Sequence, residues 1–494
     1  MNETKELPRT REQVQSDLDF IHGSIWPADV RQMDNIVGRI RRRGASSEYA
    51  DIRIWKLSPL GVELLDETAE LIFRKGEEVD LQIVIFGERS SYEGLIVDVV
   101  RDRGPLHFFG VRLSVASEKE FDYQLQERRK SDRWLCSDEF FPTCIAVSPG
   151  RYNDYIYFKV RDISARGVRL TCSLRNKFLL KGMILKLTMS LPLVGNALVT
   201  VRLVRLRIIS ANGRDLLEVG AEFINLSERA KTALAQYLIQ FSCVDDLDSL
   251  RVQGLLPPSV ANGADFYFIK SEDDYRKVLN LRHYAHSREG NIVDSDVGPE
   301  DMADMRDAAG RILVGKYNGK VIATGRISFP DADLPLEQEA YVDWPSDLPG
   351  RDKIVELGKV CTDPNFRGSD LFARLIQQVM ATCVRLDRPN VVVVALPKLL
   401  KVYKKLGCRE TGLTHEQPFW NGVQHVLIVN GFDVCLGRGV SPVVWNLIYR
   451  EPFEYLVENG FVEVAGMDLV RVRIYKFFSW IAPVMRVFQK FRVR

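Results

Sequence analysis

A turn with the pattern Asp-x-Ser-x-x-Gly, residues 162–167, lies between two runs in which apolar and polar residues alternate. Alternation with a period of two is typical of strands that bury one face, and Ser and Gly close tight turns. The segment therefore predicts a β-hairpin in an antiparallel sheet or barrel. Gly167 has no side chain, so another backbone segment can approach it closely.

Three arginines precede this hairpin in the segment ERRKSDRW, residues 127–134. Guanidinium groups such as those of Arg128, Arg129 and Arg133 bind phosphates through two N–H groups at once and stack on purine rings. The Asp162 carboxylate can accept hydrogen bonds from the N1–H and N2–H groups of guanine. Together these residues suit a compact guanine nucleotide with two phosphates.

The two segments resemble the RRxxxR and D/NxSxxG signatures of PilZ domains, the receptors for cyclic di-GMP. The resemblance implies that cyclic di-GMP contacts Arg128, Arg129, Arg133, Asp162, Ser164 and Gly167. Ser164 has two roles open to it, since it can cap the turn or reach a phosphate. The resemblance also implies a six-stranded barrel followed by a helix, and the run after Ser227 has the apolar face of a helix. The alternative is a basic linker before an unrelated barrel, which leaves the three arginines unexplained.

Length and composition limit the remaining possibilities. The chain has 494 residues, enough for about three domains, and 46% of them are hydrophobic. Its formal net charge is only +2, so we expect no nucleic-acid partner. The eight cysteines form no Cys-x-x-Cys pair and predict reduced core thiols in a cytoplasmic protein of bacterial type. We expect neither a signal peptide nor a membrane-spanning helix.

Two regions precede the PilZ-like segment. Residues 1–45 predict two short helices, because Ile36, Val37 and Ile40 recur at helical spacing and the arginines that follow suit a helix C-terminus. Residues 46–118 contain a faint internal repeat of the PilZ-like segment. The aligned pairs are Lys56 with Asp162, Ser58 with Ser164, Gly61 with Gly167 and Gly110 with Gly220. Since an arginine triplet is missing there, we predict a barrel that lacks the ligand chemistry.

We place the PilZ domain at residues 119–243 and a linker at 244–265. From Phe266 helix and strand patterns alternate, with a hairpin that turns at Asn318-Gly319. The strand IVELGKVCT runs into an Arg-Gly loop and then a helix. This order predicts an anion site, because amides at the helix N-terminus point at a phosphate while Arg367 neutralises it.

Residues 266–465 resemble the GNAT superfamily of N-acyltransferases. VCTDPNFRGS is similar to its pantetheine-binding motif, and VYKKLGCRETG is similar to the segment after its fifth strand. The closer likeness is to acyl-homoserine-lactone synthases and N-acyl amino acid synthases, from which this chain departs by Lys359 in place of an arginine. Asp370 is a second departure. Its carboxylate would repel a pyrophosphate, which disfavours free CoA, whereas an acyl carrier protein, which presents one phosphodiester, remains compatible as the acyl donor.

The resemblance implies amide formation from a thioester, with Glu356 as the base for the acceptor amine and Tyr403 as the proton donor to the thiolate. The residues implied to contact acyl-pantetheine are Val360, Cys361, Thr362, Arg367, Gly368 and Ser369. As alternatives, Glu356 forms an ion pair with Arg326 or Lys359, Tyr403 only packs in its helix, and Arg367 is a surface charge. The histidines of this region show no metal-ligand spacing, so we expect no metal.

Residues 466–494 predict a basic amphipathic helix. Seven Lys and Arg residues alternate with aromatic and aliphatic ones from Val470 onward, without an acid. Such a helix binds an anionic membrane surface or an acidic partner such as an acyl carrier protein, or docks on the transferase core with its arginines solvated.

The sequence thus predicts a multidomain α+β protein, in which two PilZ-like six-stranded β-barrels precede a GNAT-like α/β acyltransferase domain. The predicted function is cyclic di-GMP-responsive transfer of an acyl group, from acyl-ACP or acyl-CoA, to an amine such as an amino acid. The competing prediction is a cyclic di-GMP-dependent docking protein with an inactive GNAT-like domain. Both place the chain in the cytoplasm, with the inner membrane as a peripheral contact.

Overall fold

The computed structural model describes most of the chain, which divides into two compact units. The first comprises Met1–Val244 and Asp248–Pro258, and the second comprises Asp245–Leu247 and Ser259–Arg494. The described residues are 28–29, 36–46, 48–57, 61–68, 70–85, 88–103, 106–113, 132–148, 153–211, 213–290, 296–416 and 422–490.

The first unit contains a barrel of six antiparallel strands with one short strand added to it. The strands are β1 (Ala28–Asp29), β2 (Ile36–Arg42), β3 (Ala50–Leu57), β4 (Gly61–Asp66), β5 (Glu78–Ile85), β6 (Glu88–Arg103) and β7 (Leu106–Leu113). The strands pair in the order β3-β2-β5-β6-β7-β4, and β4 pairs with β3 to close the barrel. The short β1 pairs with the C-terminal end of β3. Alternate residues such as Ile52, Ile54 and Leu81 are buried inside it.

The helix predicted for the residues before position 46 is wrong where the structure describes them, because Ile36–Arg42 is strand β2 of this barrel. Gly38 and Ile40 alternate with outward-facing arginines, a period of two that the helical spacing of the apolar residues had concealed. The arginines do not cap a helix. Instead, they form cross-strand ion pairs, which join Arg39 with Asp51 and Arg41 with Asp80. Residues 1–27, which carry the rest of that prediction, lie outside the described residues.

A second six-stranded barrel follows in the same unit. Its strands are β9 (Thr143–Val147), β10 (Tyr155–Ile163), β11 (Gly167–Ser173), β12 (Ile184–Leu191), β13 (Gly195–Ala211) and β14 (Arg214–Ile224), and the short strand β8 (Trp134–Leu135) is added to it. The closed order is β10-β9-β12-β13-β14-β11, and the short β8 pairs with β10. Strand for strand, this is the order of the first barrel, so the internal repeat is a repeat of topology.

The two aligned glycines lie at the same irregularity in the two barrels. Gly110 pairs with Asp98 where β6 shifts register against β7, and Gly220 pairs with Arg205 where β13 shifts register against β14. A Cβ at either glycine would lie about as close as contact allows to the opposite Cβ, at 3.2 Å from Asp98 and 3.3 Å from Arg205. A glycine at each bulge therefore keeps the two strands together.

The barrels of the first unit also touch each other. The Tyr92 hydroxyl, on β6, donates a hydrogen bond to the carbonyl oxygen of Lys181 in the second barrel. The next residue, Gly182, has a φ of +92°, and a Cβ there would lie 2.8 Å from Ser90 Oγ. Gly182 is thus the residue at which the turn of one barrel meets a strand of the other.

Helix α1 (Glu228–Phe241) closes the second barrel, and Ser227 caps its N-terminus by accepting a hydrogen bond from the Ala230 amide. The predicted linker contains helix α2 (Leu247–Val252), and both Leu250 and Leu255 are fully buried. The acidic and Pro/Gly-containing composition of this stretch had obscured leucines that pack like core residues.

The second unit is built on a seven-stranded mixed sheet. The strands are β15 (Asp265–Phe268), β16 (Arg311–Tyr317), β17 (Lys320–Ser328), β18 (Ile354–Thr362), β19 (Asn390–Ala395), β20 (Arg409–His415) and β21 (Gln424–Asn430). Their order is β15-β16-β17-β18-β19-β21-β20, and the β18–β19 pair is parallel. The predicted hairpin turns at Asn318 and Gly319, whose φ values of +48° and +78° suit the tight turn between β16 and β17.

Helices cover this sheet. They are α3 (Glu272–Arg288), α4 (Leu371–Arg385), α5 (Pro397–Lys405), α6 (Gly431–Cys435), α7 (Pro442–Val444), α8 (Arg450–Glu458) and α9 (Gly466–Lys490). A π-helical turn, Trp445–Tyr449, joins α7 to α8. The predicted fold class, two six-stranded barrels followed by a mixed α/β domain, is therefore confirmed. All eight cysteines are free, and Cys243 is exposed rather than in a core.

Candidate functional sites

A charged cluster on the second barrel is centred on Asp162, whose side chain is buried. Its Oδ1 accepts a hydrogen bond from Arg133 Nη1 at 3.2 Å, and its Oδ2 accepts one from Arg169 Nε at 2.6 Å. The hairpin register places Asp162 opposite Arg169, and the added strand β8 places Leu135 beside it. The structure therefore brings Arg133 and Asp162 together, as the two motifs predicted.

The cluster extends over two more strands, through residues that the sequence motifs did not include. Arg169 Nη1 lies 3.5 Å from Glu218 Oε2, and Glu218 Oε1 accepts a hydrogen bond from Arg207 Nε. Arg207 and Glu218 are paired across β13 and β14. Two buried carboxylates thus hold three half-exposed arginines in place on one face of the barrel. Only the strand register, which the sequence does not state, would have revealed them.

Ser164 and Gly167 shape the turn itself. Ser164 Oγ donates a hydrogen bond to the Gly167 carbonyl and accepts one from the Gly167 amide, at 3.0 and 3.1 Å. A Cβ on Gly167 would lie 2.2 Å from the carbonyl oxygen of Ala221, so only glycine fits against β14. Of its two predicted roles, Ser164 here has the capping one. Arg128 and Arg129 lie outside the described residues.

A second candidate site is a cavity of about 200 Å³ in the second unit. It lies where the parallel strands β18 and β19 separate, since their pairing ends at Leu357 and Val393 although both strands continue. At that point β18 bulges against β17, and Lys359 has a left-handed φ of +52°. Where two paired strands separate, the backbone N–H and C=O groups on their facing edges no longer bond each other and are open to a ligand.

Glu356 forms one wall of this cavity and is only 4% exposed. Its Oε1 accepts a hydrogen bond from the Glu337 amide at 2.9 Å, and its Oε2 has no hydrogen-bond partner among the described residues. Burial raises the pKa of Glu356 to about 7, which the Glu337 amide opposes and the Glu337 charge assists. A carboxyl group with such a pKa exchanges a proton near neutral pH.

The predicted alternative, an ion pair between Glu356 and Arg326 or Lys359, does not form. Arg326 Nη1 lies 3.0 Å from Asp304 Oδ2, and Lys359 Nζ lies 3.0 Å from the same oxygen. Both cations also pair with Glu337. Their positive charges are therefore compensated by other carboxylates, and Glu356 is left facing the cavity.

These carboxylates belong to a buried network that no sequence motif indicates. Arg282, in helix α3, makes two hydrogen bonds to Asp307, from Nη1 at 2.6 Å and from Nη2 at 3.1 Å. Burial raises the pKa of Asp304, but the Arg306 amide and the charges of Lys359 and Arg326 outweigh that effect and hold it well below its usual range. The acidic run that contains Asp304 and Asp307 was the only signal, and it did not indicate the partners.

Tyr403, on helix α5, lines the same cavity as Glu356. Burial raises the pKa of its hydroxyl to about 12, so the group is protonated at neutral pH and can donate a hydrogen bond. Its ring packs edge-on against Phe372. The two residues predicted to exchange protons thus face one cavity, which is also lined by His286, Glu289, Gln338, Lys398 and Gln424.

The residues implied to contact pantetheine lie along β18 and the loop that follows it. Val360 lines the cavity, whereas Cys361 and Thr362 pair with β17. Gly368 has a φ of +73°, and Ser369 lies next to the N-terminal end of helix α4. Arg367 forms an ion pair at 2.8 Å with Glu289, another residue of the cavity wall. Arg367 is thus more than an isolated surface charge.

Asp370 has a structural role that its sequence position did not reveal. Its carboxylate accepts hydrogen bonds from Ser259 Oγ at 2.6 Å, the Val260 amide at 2.8 Å and the Ala261 amide at 3.0 Å. It thereby fastens the start of the second unit to helix α4. Among the described residues, no group of three or more His, Cys, Asp and Glu side chains is placed to hold a metal ion.

Comparison with known proteins finds a family model that matches part of the chain. The PilZ domain model matches residues 127–240, which span the second barrel and most of helix α1. The resemblance predicted from the two motifs is therefore confirmed for this part of the chain. No curated protein matches the sequence.

Many solved structures are similar to parts of the chain, among them the following three. FeeM, an N-acyl amino acid synthase from uncultured soil microbes, shares 9% identity over 35% of this chain and 94% of its own, with a TM-score of 0.29. MesI, a CoA-dependent acyl-homoserine lactone synthase, shares 17% identity over 41% and 97%, with a TM-score of 0.27. The MrkH–c-di-GMP complex from K. pneumonia shares 12% identity over 47% and 94%, with a TM-score of 0.20.

Proposed function

We propose that this chain is a cyclic di-GMP-responsive N-acyltransferase. The observation that carries the transferase assignment is the state of Glu356, a buried carboxyl group with a pKa of about 7 and one unpartnered oxygen among the described residues. It faces a cavity where two parallel strands part and leave backbone groups open. The PilZ match at residues 127–240 supports the nucleotide as the ligand of the second barrel.

In the nucleotide site, Arg133 is the described arginine best placed to move. Its side chain is 45% exposed, and its hydrogen bond to Asp162 is long, at 3.2 Å. On binding, Arg133 turns toward a phosphate together with Arg128 and Arg129. The Asp162 oxygen that it leaves then accepts from the guanine edge, while Arg169 keeps the carboxylate in position. Ser164 and Gly167 hold the turn.

In the transferase site, the acceptor amine attacks the thioester carbonyl carbon of the donor. Glu356 removes one proton from the amine nitrogen as the C–N bond forms. The C–S bond then breaks, and the thiolate takes a proton from the Tyr403 hydroxyl. Tyr403 regains a proton from solvent, and Glu356 releases to solvent the proton that it took. Open amides of β18 beyond Leu357 polarise the carbonyl oxygen. The products are an amide and a free thiol.

The donor presents its pantetheine in the gap between β18 and β19, beside Val360 and along Cys361 and Thr362. A phosphate of the donor lies at the N-terminus of helix α4, near Gly368 and Ser369. Both acyl-ACP and acyl-CoA supply such a phosphate. The hydrogen bonds that Asp370 accepts turn its carboxylate toward residues 259–261, so the pyrophosphate of CoA is also compatible with this loop.

A docking protein without catalysis is the second candidate, and one contact favours it. Arg367, the cation of the phosphate loop, is engaged by Glu289 rather than free for a phosphate. If that pair persists with a donor present, the loop lacks its charge. Because the two side chains are exposed, such a pair contributes little and can exchange partners.

Acyl transfer by the purified full-length chain tests the proposal. Acyl-ACP and acyl-CoA are each offered with a panel of amino acids, and the amide product and free thiol are measured in the presence of cyclic di-GMP. We expect transfer that Glu356→Gln lowers by about a hundredfold or more, whereas Glu463→Gln, an exposed carboxylate away from the cavity, leaves it unchanged. No product from either donor, with folded and nucleotide-bound protein, would favour the docking candidate.

A further inference from the structure

Helix α9 packs through one face against the rest of the second unit. Val472 is buried, the Tyr475 hydroxyl donates to the Val440 carbonyl at 2.9 Å, and Lys476 pairs with Glu454 at 2.9 Å. The acid near its start, Asp468, is paired with Arg438 and Arg471. The predicted alternative of a docked helix therefore accounts for this face of its first turns.

The opposite face of the same turns is apolar and exposed. Its residues are Met467, Val470, Ile474, Phe477 and Phe478. With 3.6 residues per turn, these side chains fall within an arc of about 100° around the helix axis. Phe477 is 65% exposed and Met467 is 75% exposed. A continuous apolar stripe of this kind on the surface of a protein marks a site that binds another protein or a membrane.

The charges around the stripe indicate what that contact is. By helical geometry Arg471 and Arg473 flank the two edges of the arc, and Arg473 is exposed without an ion-pair partner among the described residues. The helix backbone continues to Lys490, and the sequence places Ile481, Met485 and Phe488 at positions that fall in the same arc by helical spacing. Seven Lys and Arg residues and no acid occupy positions 470–494.

We propose that helix α9 binds the surface of a membrane that contains anionic lipids. The helix is about 37 Å long at 1.5 Å per residue, and it lies in the plane of the surface with the stripe among the acyl chains and the basic edges at the phosphates. The aromatic and aliphatic stripe is complementary to the acyl chains, and its cationic edges are complementary to the lipid phosphates. No helix in the described part of the chain is long and apolar enough to cross a bilayer, so the contact is peripheral.

Vesicle sedimentation with the full-length chain tests this proposal. Vesicles of phosphatidylcholine alone are compared with vesicles in which part of the lipid is phosphatidylglycerol. We expect the chain to sediment with the anionic vesicles and to be released as salt is raised. Phe477→Glu should weaken binding about tenfold or more, because it places a charge in the stripe, and Arg473→Glu should weaken it at least about fivefold.

Tyr157→Glu is the matched control, since Tyr157 is an aromatic residue of the second barrel with 66% exposure, and it should bind like the wild-type chain. Equal binding of Phe477→Glu and wild type would overturn the proposal, as would failure to bind anionic vesicles. If the stripe instead binds an acidic carrier protein or a second copy of the chain, Phe477→Glu will abolish that association in solution. The wild-type chain will then not sediment with vesicles. That outcome would likewise overturn the membrane assignment.

Discussion

Lys56 and Asp162 occupy the same position in two barrels of identical strand order, and each forms an ion pair with the residue directly across the next strand. Lys56 Nζ lies 2.8 Å from Glu63 Oε2, and Asp162 Oδ2 lies 2.6 Å from Arg169 Nε. The charges of the pair are reversed between the barrels. The first barrel thus keeps the geometry of the pair but has a cation at the position of the Asp162 carboxylate, which we propose as the acceptor for a guanine edge.

This relationship gives a prediction for nucleotide binding. Arg133→Ala removes one charged contact to the ligand and should weaken cyclic di-GMP binding by about 1.5–3 kcal/mol, measured by titration calorimetry. Lys56→Ala, at the equivalent position of the first barrel, should leave the affinity unchanged. Equal affinities of wild type and Arg133→Ala would place the ligand elsewhere on the chain.

Gly167→Ala tests the turn. The new Cβ would lie 2.2 Å from a backbone carbonyl oxygen of β14, so the two strands must separate. We expect the free energy of unfolding of the first unit to fall by on the order of 1–3 kcal/mol, measured by urea denaturation. Gly298→Ala is the control, since a Cβ there meets only Asp301 Oδ2 at 3.8 Å. Similar stabilities of the two variants would contradict the close approach.

The rate of acyl transfer should depend on pH through Glu356. As its pKa is about 7, the carboxyl group is mostly protonated at pH 6 and cannot act as a base. The ratio kcat/KM should therefore rise with pH and level off above about 7. Glu356→Gln should remove this step from the profile. A step that persists in the variant would assign the base to another group.

The same pKa makes a prediction for stability. Burial raises the pKa of Glu356 from 4.5 in a model peptide to about 7 in the folded chain. Between these values the folded state binds more protons than the unfolded state, so stability falls as pH rises, by on the order of 3 kcal/mol in all. Glu356→Gln does not titrate, so its stability relative to wild type should increase from pH 5 to pH 8. Denaturation at both values measures it, and Glu463→Gln should show no such change.

Coupling between the nucleotide and the transferase is a separate prediction. A ligand shifts an equilibrium only by its different affinity for the two states, typically by 1–3 kcal/mol. Saturating cyclic di-GMP should therefore change the rate of acyl transfer by roughly five- to a hundredfold. Arg133→Ala should need a correspondingly higher nucleotide concentration for the same change. If the nucleotide binds and the rate does not change, the sensor controls location or partners instead.

Much of the fold was predictable because strand alternation and turn residues are local signals. The hairpin around Ser164 and Gly167 and the turn at Asn318-Gly319 follow from a few neighbouring residues. The helical spacing of Ile36–Arg42 is misleading because pairing with β3 and with β5, a strand distant in sequence, outweighs local spacing.

The candidate sites were predictable to the same extent. Arg133, Asp162, Glu356 and Tyr403 lie in motifs that can be recognised from neighbouring residues. Arg207 and Glu218 depend on the register of two long strands, and Asp304 reaches Lys359 from a loop far away in the chain. No local pattern reports which distant charges neutralise each other, so the sequence could not predict that Arg326 and Lys359 pair with carboxylates other than Glu356.

The paired bulges at Gly110 and Gly220 have a consequence for how such a chain changes over generations. If the two barrels descend from one duplicated segment, a side chain at either glycine would press against the opposite Cβ at 3.2 or 3.3 Å, whereas an ion pair survives when both charges are exchanged. The two glycines should then be substituted slowly, and the residues of the pair Lys56–Glu63 should be substituted faster. Among related chains, the loss of ligand binding would therefore change the charges of the ion pair first and the backbone at the bulges only later.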